Sequence, residues 1–105
     1  MSLDVTRAGA GLHPHEARRR LEHAHTSRLA QLKALDETGR STDDPLLAEQ
    51  KTAVRQILEE IAEAFARLEE GTYGTCLACA KPIPAERLEI LPYTRHCVAC
   101  RLRAA

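Results

Sequence analysis

The chain has 105 residues, and its Lys+Arg and Asp+Glu totals are equal at 15 each, so net charge gives no reason to expect nucleic-acid binding. Two Tyr, one Phe and no Trp are too few aromatics to fill a compact core, which predicts an elongated shape. No apolar stretch approaches membrane-spanning length and the first residues lack the apolar run of a secretion signal, so a soluble, cytoplasmic protein is expected.

Residues 1–13, with Gly9 and Gly11, read as a flexible N-terminal tail. Pro14 then opens a helix predicted over 14–35. Ala17, Leu21, Ala24, Leu32 and Leu35 form a narrow apolar stripe, with His25 or Arg28 at its edge. Arg18, Arg19, Arg20, Arg28 and Lys33 outnumber Glu16 and Glu22, leaving this segment positive. The following residues, 36–43, hold Gly39 among small polar and acidic side chains, which is turn chemistry.

The second helix, over 44–70, is the strongest in the chain. Leu47, Val54, Ile61 and Leu68 recur every seven residues, and Ile57, Leu58, Ala64 and Phe65 fill the same stripe. Asp44 before Pro45 supplies an N-cap and a first helical residue, and Gly71 supplies a left-handed C-cap. Glu69 and Glu70 oppose the helix dipole, so a compensating group is expected nearby. This helix is net negative, and its attraction to the positive first helix favours laying the two side by side as an antiparallel hairpin. The loop between them is an acidic tip near 36–45.

After Gly71 the pattern breaks, because Pro82 and Pro84 forbid a continuous helix. Ile83, Leu88, Ile90 and Leu91 can form only a small apolar cluster, and Val98–Arg103 can begin a short terminal helix. All four cysteines lie in this segment, as Cys76-x-x-Cys79 and Cys97-x-x-Cys100. Paired two-residue spacers let four thiolates face one tetrahedral Zn²⁺. A disulfide pairing would need an oxidising compartment, and a thioredoxin-like pair would need a βαβ pattern that is not visible. Four thiolates close the coordination shell, leaving no position for a catalytic water. With no nucleophile–base pair and no phosphate-cradling glycine loop either, an enzyme is not expected.

The fold class that follows is mainly α: an antiparallel two-helix coiled-coil hairpin over 14–70, then a small four-cysteine zinc finger with a short C-terminal helix over 71–105. His13, His15, His23 and His25 are spaced i, i+2, which points them apart on a helix and makes them surface residues. Arg18–Arg20 read first as a solvated helical face.

The run GTYGTCLACAKPIPAERLEILPYTRHCVAC resembles the zinc finger of the DksA/TraR family of bacterial transcription regulators. The likeness is carried by Gly71, Tyr73, Gly74, Cys76, Cys79, Ile83, Arg87, Leu88, Pro92, Cys97 and Cys100, with the upstream hairpin resembling the family's coiled coil. It implies one structural Zn²⁺ and a monomer that binds RNA polymerase directly, through the secondary channel, with no membrane and no sequence-specific DNA contact. The hairpin tip then modulates initiation through Asp43, Asp44 and Ala48, while Arg87 and Arg95 contact the partner from the finger; Arg87 reads equally as a brace of the finger.

Three departures stand out against that family. Leu47 stands where the second tip acid is usual. Ala80 replaces a glycine after the second ligand, where a left-handed backbone costs an alanine about 1 kcal/mol. The chain stops soon after Cys100, so alarmone binding is not implied. Two other functions fit the same cysteines: a zinc–thiolate redox sensor that loses its metal on oxidation, and a zinc-ribbon interaction module without channel activity.

Overall fold

A computed structural model describes residues 12–39 and 44–104. Helices α1 (Pro14–Gly39) and α2 (Pro45–Glu70) precede two short ones, α3 (Ala85–Ile90) and α4 (Val98–Ala104). The molecule measures 59 × 30 × 21 Å, the elongated outline that its scarcity of aromatics predicts. Among the described residues there is no strand beyond one isolated bridge, Thr75 with Pro82, and no helix is long and apolar enough to cross a membrane.

Ion pairs fix the direction of the hairpin. Arg18 near the start of α1 meets Glu69 near the end of α2 at 3.3 Å, and Asp36 near the end of α1 meets Lys51 of α2 at 3.2 Å. Both pairs fall on one antiparallel register. Exposed pairs of this kind contribute about 0–1 kcal/mol each, so they orient the helices more than they stabilise them. Arg18 is also the compensating charge expected beside the acidic end of α2.

Helix α2 begins and ends where its sequence predicts. The Asp44 carboxylate accepts from Leu46 N–H at 3.0 Å, and Pro45 occupies the first turn. At the far end Gly71 is left-handed, with φ 83°. Thr72 N–H donates to Arg67 O at 2.9 Å and Gly71 N–H to Leu68 O at 3.3 Å, the double bond of a Schellman cap. Helix α1 is capped less conventionally: His13 Nδ1 accepts from His15 N–H at 3.0 Å, ahead of Pro14.

Two boundaries differ from the sequence reading. Helix α1 runs one turn past Leu35, to Gly39, so Asp36 and Glu37 are helical rather than in the loop. No basic residue lies in that last turn; Lys51 reaches across from α2 to Asp36, and Thr38 Oγ1 donates to Ala34 O at 2.8 Å. A cross-hairpin partner thus outweighs the turn-like composition. Leu12, read as part of the tail, instead packs against the finger's core. Residues 1–11 and the remainder of the tip, 40–43, with Asp43, lie outside the described residues.

The core is split in two. Leu21, Ile61 and Ala64 are fully buried at the finger end of the hairpin, joined by Ile57, Leu58, Phe65 and Leu68. Cys76, Ile83, Leu88 and Cys100 form a second cluster inside the finger. Tyr73 packs against both. Toward the tip, Leu32, Leu35 and Leu47 are only half-buried, so the rod thins to a simple two-helix pair. Arg28, not His25, takes the edge of the α1 stripe, and the four hairpin histidines are all exposed.

Candidate metal centre

Backbone turns assemble the four sulfurs. Gly74, at φ 88°, reverses the chain after Tyr73, and a Cβ there would meet Leu88 Cδ1 at 3.6 Å. The first knuckle then closes on itself: Cys76 N–H donates to Lys81 O, and Ala80 N–H to Cys76 O, both at 2.9 Å. The second knuckle leads into α4, where Arg101 N–H donates to Cys97 O at 3.0 Å. Leu77 N–H donates to Arg95 O at 2.9 Å and joins the two knuckles.

The resulting sulfurs lie within 4.8 Å of one another. Cys79 Sγ and Cys97 Sγ are 3.8 Å apart. A tetrahedron with Zn–S bonds of about 2.3 Å has edges of about 3.8 Å, so the cluster has the dimensions of a zinc site. All four thiols are free, and the 3.8 Å separation is far beyond the ~2.05 Å of a disulfide. Cys76 and Cys100 are buried, Cys79 and Cys97 half-buried.

The environment prepares thiolates but cannot hold four of them alone. Burial opposes ionisation of Cys76, yet the surrounding amides of Cys97, Cys79 and Ala78 outweigh it and lower the thiol's pKa. The amide of Cys100 likewise lowers Cys97. Cys100 goes the other way, raised by burial and then by the neighbouring sulfurs, although Arg103 donates to its Sγ at 3.1 Å. So crowded a set of anions needs a cation at its centre. One Zn²⁺ held by Cys76, Cys79, Cys97 and Cys100 meets that need, and its role is structural. Among the described residues no other group of His, Cys, Asp and Glu could hold a metal ion.

Ala80 is the one non-glycine residue with positive φ among those described, at 65°. This is the left-handed position expected from the missing glycine. Ala80→Gly should therefore stabilise the finger. Relief of about 1 kcal/mol of strain is partly offset by the greater freedom of glycine in the unfolded chain. Chelator competition should show tighter zinc retention; looser retention would mean the alanine methyl makes a contact that outweighs the strain.

The carbonyls of residues 89–96 form a strap, held from the hairpin by Arg20 and Arg67 and from within the finger by Tyr73 and Arg87. Arg20 Nη1 donates to Glu89 O at 3.2 Å, and Tyr73 Oη to Pro92 O at 2.8 Å. Arg67 Nη2 donates to Thr94 O at 3.5 Å, and Arg87 Nε to His96 O at 3.2 Å. Burial pushes the Tyr73 hydroxyl up to about 12, so it remains a donor at ordinary pH. Arg95 adds ion pairs to Glu60 at 3.2 Å and Glu63 at 3.6 Å, both on α2.

Of the two arginines expected as partner contacts, Arg87 bonds within the finger and Arg95 reaches from the finger to α2. Arg20, Arg67 and Tyr73 do not stand out as braces in the sequence. Only Arg67 leaves a trace there, lying one helical turn from Ala64 on the buried stripe. Asp44 and Ala48 sit at the opposite end of the rod, both exposed; the structure brings them to neither the metal nor the strap.

A helical hairpin carrying a braced four-cysteine finger at its open end defines a structural zinc-finger protein. Residues 71–104 match the family model of the prokaryotic dksA/traR C4-type zinc finger, so this segment is a zinc finger of that type. It is 41% identical over 61 residues to general stress protein 16O of Bacillus subtilis, a match covering 58% of this chain and 35% of that one. An uncharacterized protein of Aquifex aeolicus is 46% identical over 43 residues, covering 41% of this chain and 30% of its own. The chain thus spans about a third of the length of the curated relatives it matches. The solved structure of transcription factor DksA2 from Pseudomonas aeruginosa aligns with a TM-score of 0.46 at 25% identity, covering 87% of this chain and 76% of that one.

Proposed function

We propose that the protein is a bacterial transcription regulator that binds RNA polymerase directly, its finger end docking outside the secondary channel while the hairpin reaches inward. The observation that carries this reading is the separation of two ends by a braced rod. A 26-residue helix is about 39 Å long, with the zinc finger at one end and the acidic Asp44 at the other. A flexible segment of that reach would lose ordering entropy on entering a narrow passage, whereas a packed two-helix rod has lost it already. The match of the finger to that family model supports the same reading, as does the lack of any open metal position in a four-thiolate shell. On this reading it acts as a monomer in the cytoplasm, without membrane or sequence-specific DNA contact.

The tip supplies the test. Asn caps a helix about as well as Asp, so Asp43→Asn with Asp44→Asn removes charge while leaving the start of α2 in place. Binding of the double variant to core RNA polymerase should stay within about twofold of the parent, equivalent to less than ~0.5 kcal/mol. Its effect on run-off transcription from sensitive promoters should be lost. No binding of the parent protein at micromolar concentration would overturn the polymerase reading, and unchanged transcription by the variant would overturn the role of the tip.

A further inference from the structure

An open cleft of about 520 Å³ lies between α1 and the strap, away from both the metal and the tip, lined by Arg19, Arg20, His23, Arg28, Ile90 and Tyr93 among others. Arg20 is committed to the fold, with Nη1 on Glu89 O. Arg19 and Arg28 are not: their side chains bond to Glu16 and Gln31, neighbours on the same helix. Glu89 is the one carboxylate lining the cleft, and Glu16 sits beside it, held by Arg19 and Arg20. At its lip Ile90 is 78% exposed, the most exposed of the large apolar residues. Three guanidiniums and an imidazole outnumber the carboxylates of Glu16 and Glu89 and stand beside a bare isoleucine, a surface that an anionic and partly apolar partner would complement.

We propose that this cleft docks a short acidic polypeptide segment of a partner protein, one carrying an apolar side chain for Ile90. The local chemistry selects carboxylates. Arg19 grips Glu16 through Nε and Nη2, at 3.2 and 2.7 Å on its two oxygens, the two-pronged geometry in which guanidinium binds carboxylate best. An incoming Glu or Asp offers the same oxygens and takes the fork in place of Glu16, while Arg28 adds a second guanidinium. Nucleic acid fits less well, because Tyr93 is the one aromatic lining the cleft and leaves bases little to stack on. The proposal deepens the polymerase reading, on which it rests only for which protein supplies the segment.

Two measurements keep the two ideas separable. The first titrates the zinc-loaded, ¹⁵N-labelled protein with a synthetic twelve-residue Glu/Leu peptide at low salt, following amide shifts. Saturable shifts confined to residues 19–28 and 89–93, weakening several-fold at 0.5 M salt, are expected. Arg19→Glu with Arg28→Glu should reduce affinity at least fivefold at unchanged zinc content, whereas Lys33→Glu, exposed further along α1, should not. Shifts that are absent or scattered, or an equal loss with Lys33→Glu, would overturn the cleft, as would stronger binding of an oligouridylate of matched length to the same residues.

The second measurement uses core RNA polymerase. The double variant should bind at least tenfold more weakly than the parent. If the parent binds and the variant matches it, the acidic segment does not belong to polymerase. If the parent does not bind at all, the polymerase reading fails and the peptide titration alone decides the cleft.

Discussion

Cys76→Ser is expected to abolish stoichiometric zinc and unfold residues 71–104 while most of the helical signal survives. Cys76 is the most buried of the four ligands, 1% exposed, and its amide and carbonyl both close the first knuckle. A serine hydroxyl stays protonated at neutral pH and is a poor zinc ligand, so the shell loses one of its anions. Structural zinc contributes roughly 10–16 kcal/mol of apparent free energy. Within the finger, Ile83 and Leu88 are the fully buried aliphatic side chains, and at about 1.5–3 kcal/mol each they cannot replace it.

The hairpin should respond differently. Helices α3 and α4 hold 6 and 7 residues against 26 in each long helix, so circular dichroism at 222 nm should fall only modestly. Limited proteolysis should then cut after Gly71 and spare α1 and α2. Loss of the whole helical signal would mean that the rod depends on the metal. Full zinc occupancy with a protected finger would mean that three thiolates suffice and that the fourth is dispensable.

Legibility in the sequence follows the range of the interactions involved. Helix α2 is readable from end to end because its signals are local: an Asp-Pro start, a heptad of apolar residues and a glycine stop. The four zinc ligands are readable for the same reason, since two-residue spacers already aim both sulfurs of a knuckle at one point. Even the strain at Ala80 is foreseeable from a single missing glycine. The end of α1 is not, because what keeps Asp36 helical is a lysine fifteen positions on, across the hairpin. Leu12 looks like tail until the finger's cluster gives it a surface to cover.

The strap is the least legible part. It works by giving the carbonyl oxygens of Glu89, Pro92, Thr94 and His96 side-chain donors, two of them on the hairpin and two in the finger, and a backbone carbonyl leaves no mark in a sequence. Arg20 therefore reads as part of a solvated helical face, and Arg67 as one charge among many on its helix. Arg67 shows how far that misleads: it is 8% exposed, and burial lowers its pKa from the usual arginine value while Glu63 opposes the shift. Three basic side chains, Arg20, Arg67 and Arg95, thus join the finger to the rod.

Ile61→Ala should strike the rod and spare the metal. Ile61 is fully buried against Leu21 and Ala64 where the hairpin meets the finger. Truncating such a side chain leaves a cavity and costs about 2–5 kcal/mol, a large share of the ~5–15 kcal/mol that holds a small domain together. The helical melting temperature should fall by on the order of 10–30 °C. Zinc content at 25 °C should stay at one per chain, because the thiolates and the knuckle hydrogen bonds are untouched. Leu46→Ala is the matched control: Leu46 is 61% exposed near the tip, and its loss should fall within about 0.5 kcal/mol of the parent. If the proposed function holds, a rod softened at Ile61 should also lose the effect on transcription at temperatures where the finger stays folded, because on that reading the tip is positioned through this packing. Equal melting temperatures for the two variants would mean that α1 and α2 do not pack in the register that joins Arg18 to Glu69 and Asp36 to Lys51, and a tip held at a fixed distance from the finger would then have no structural basis.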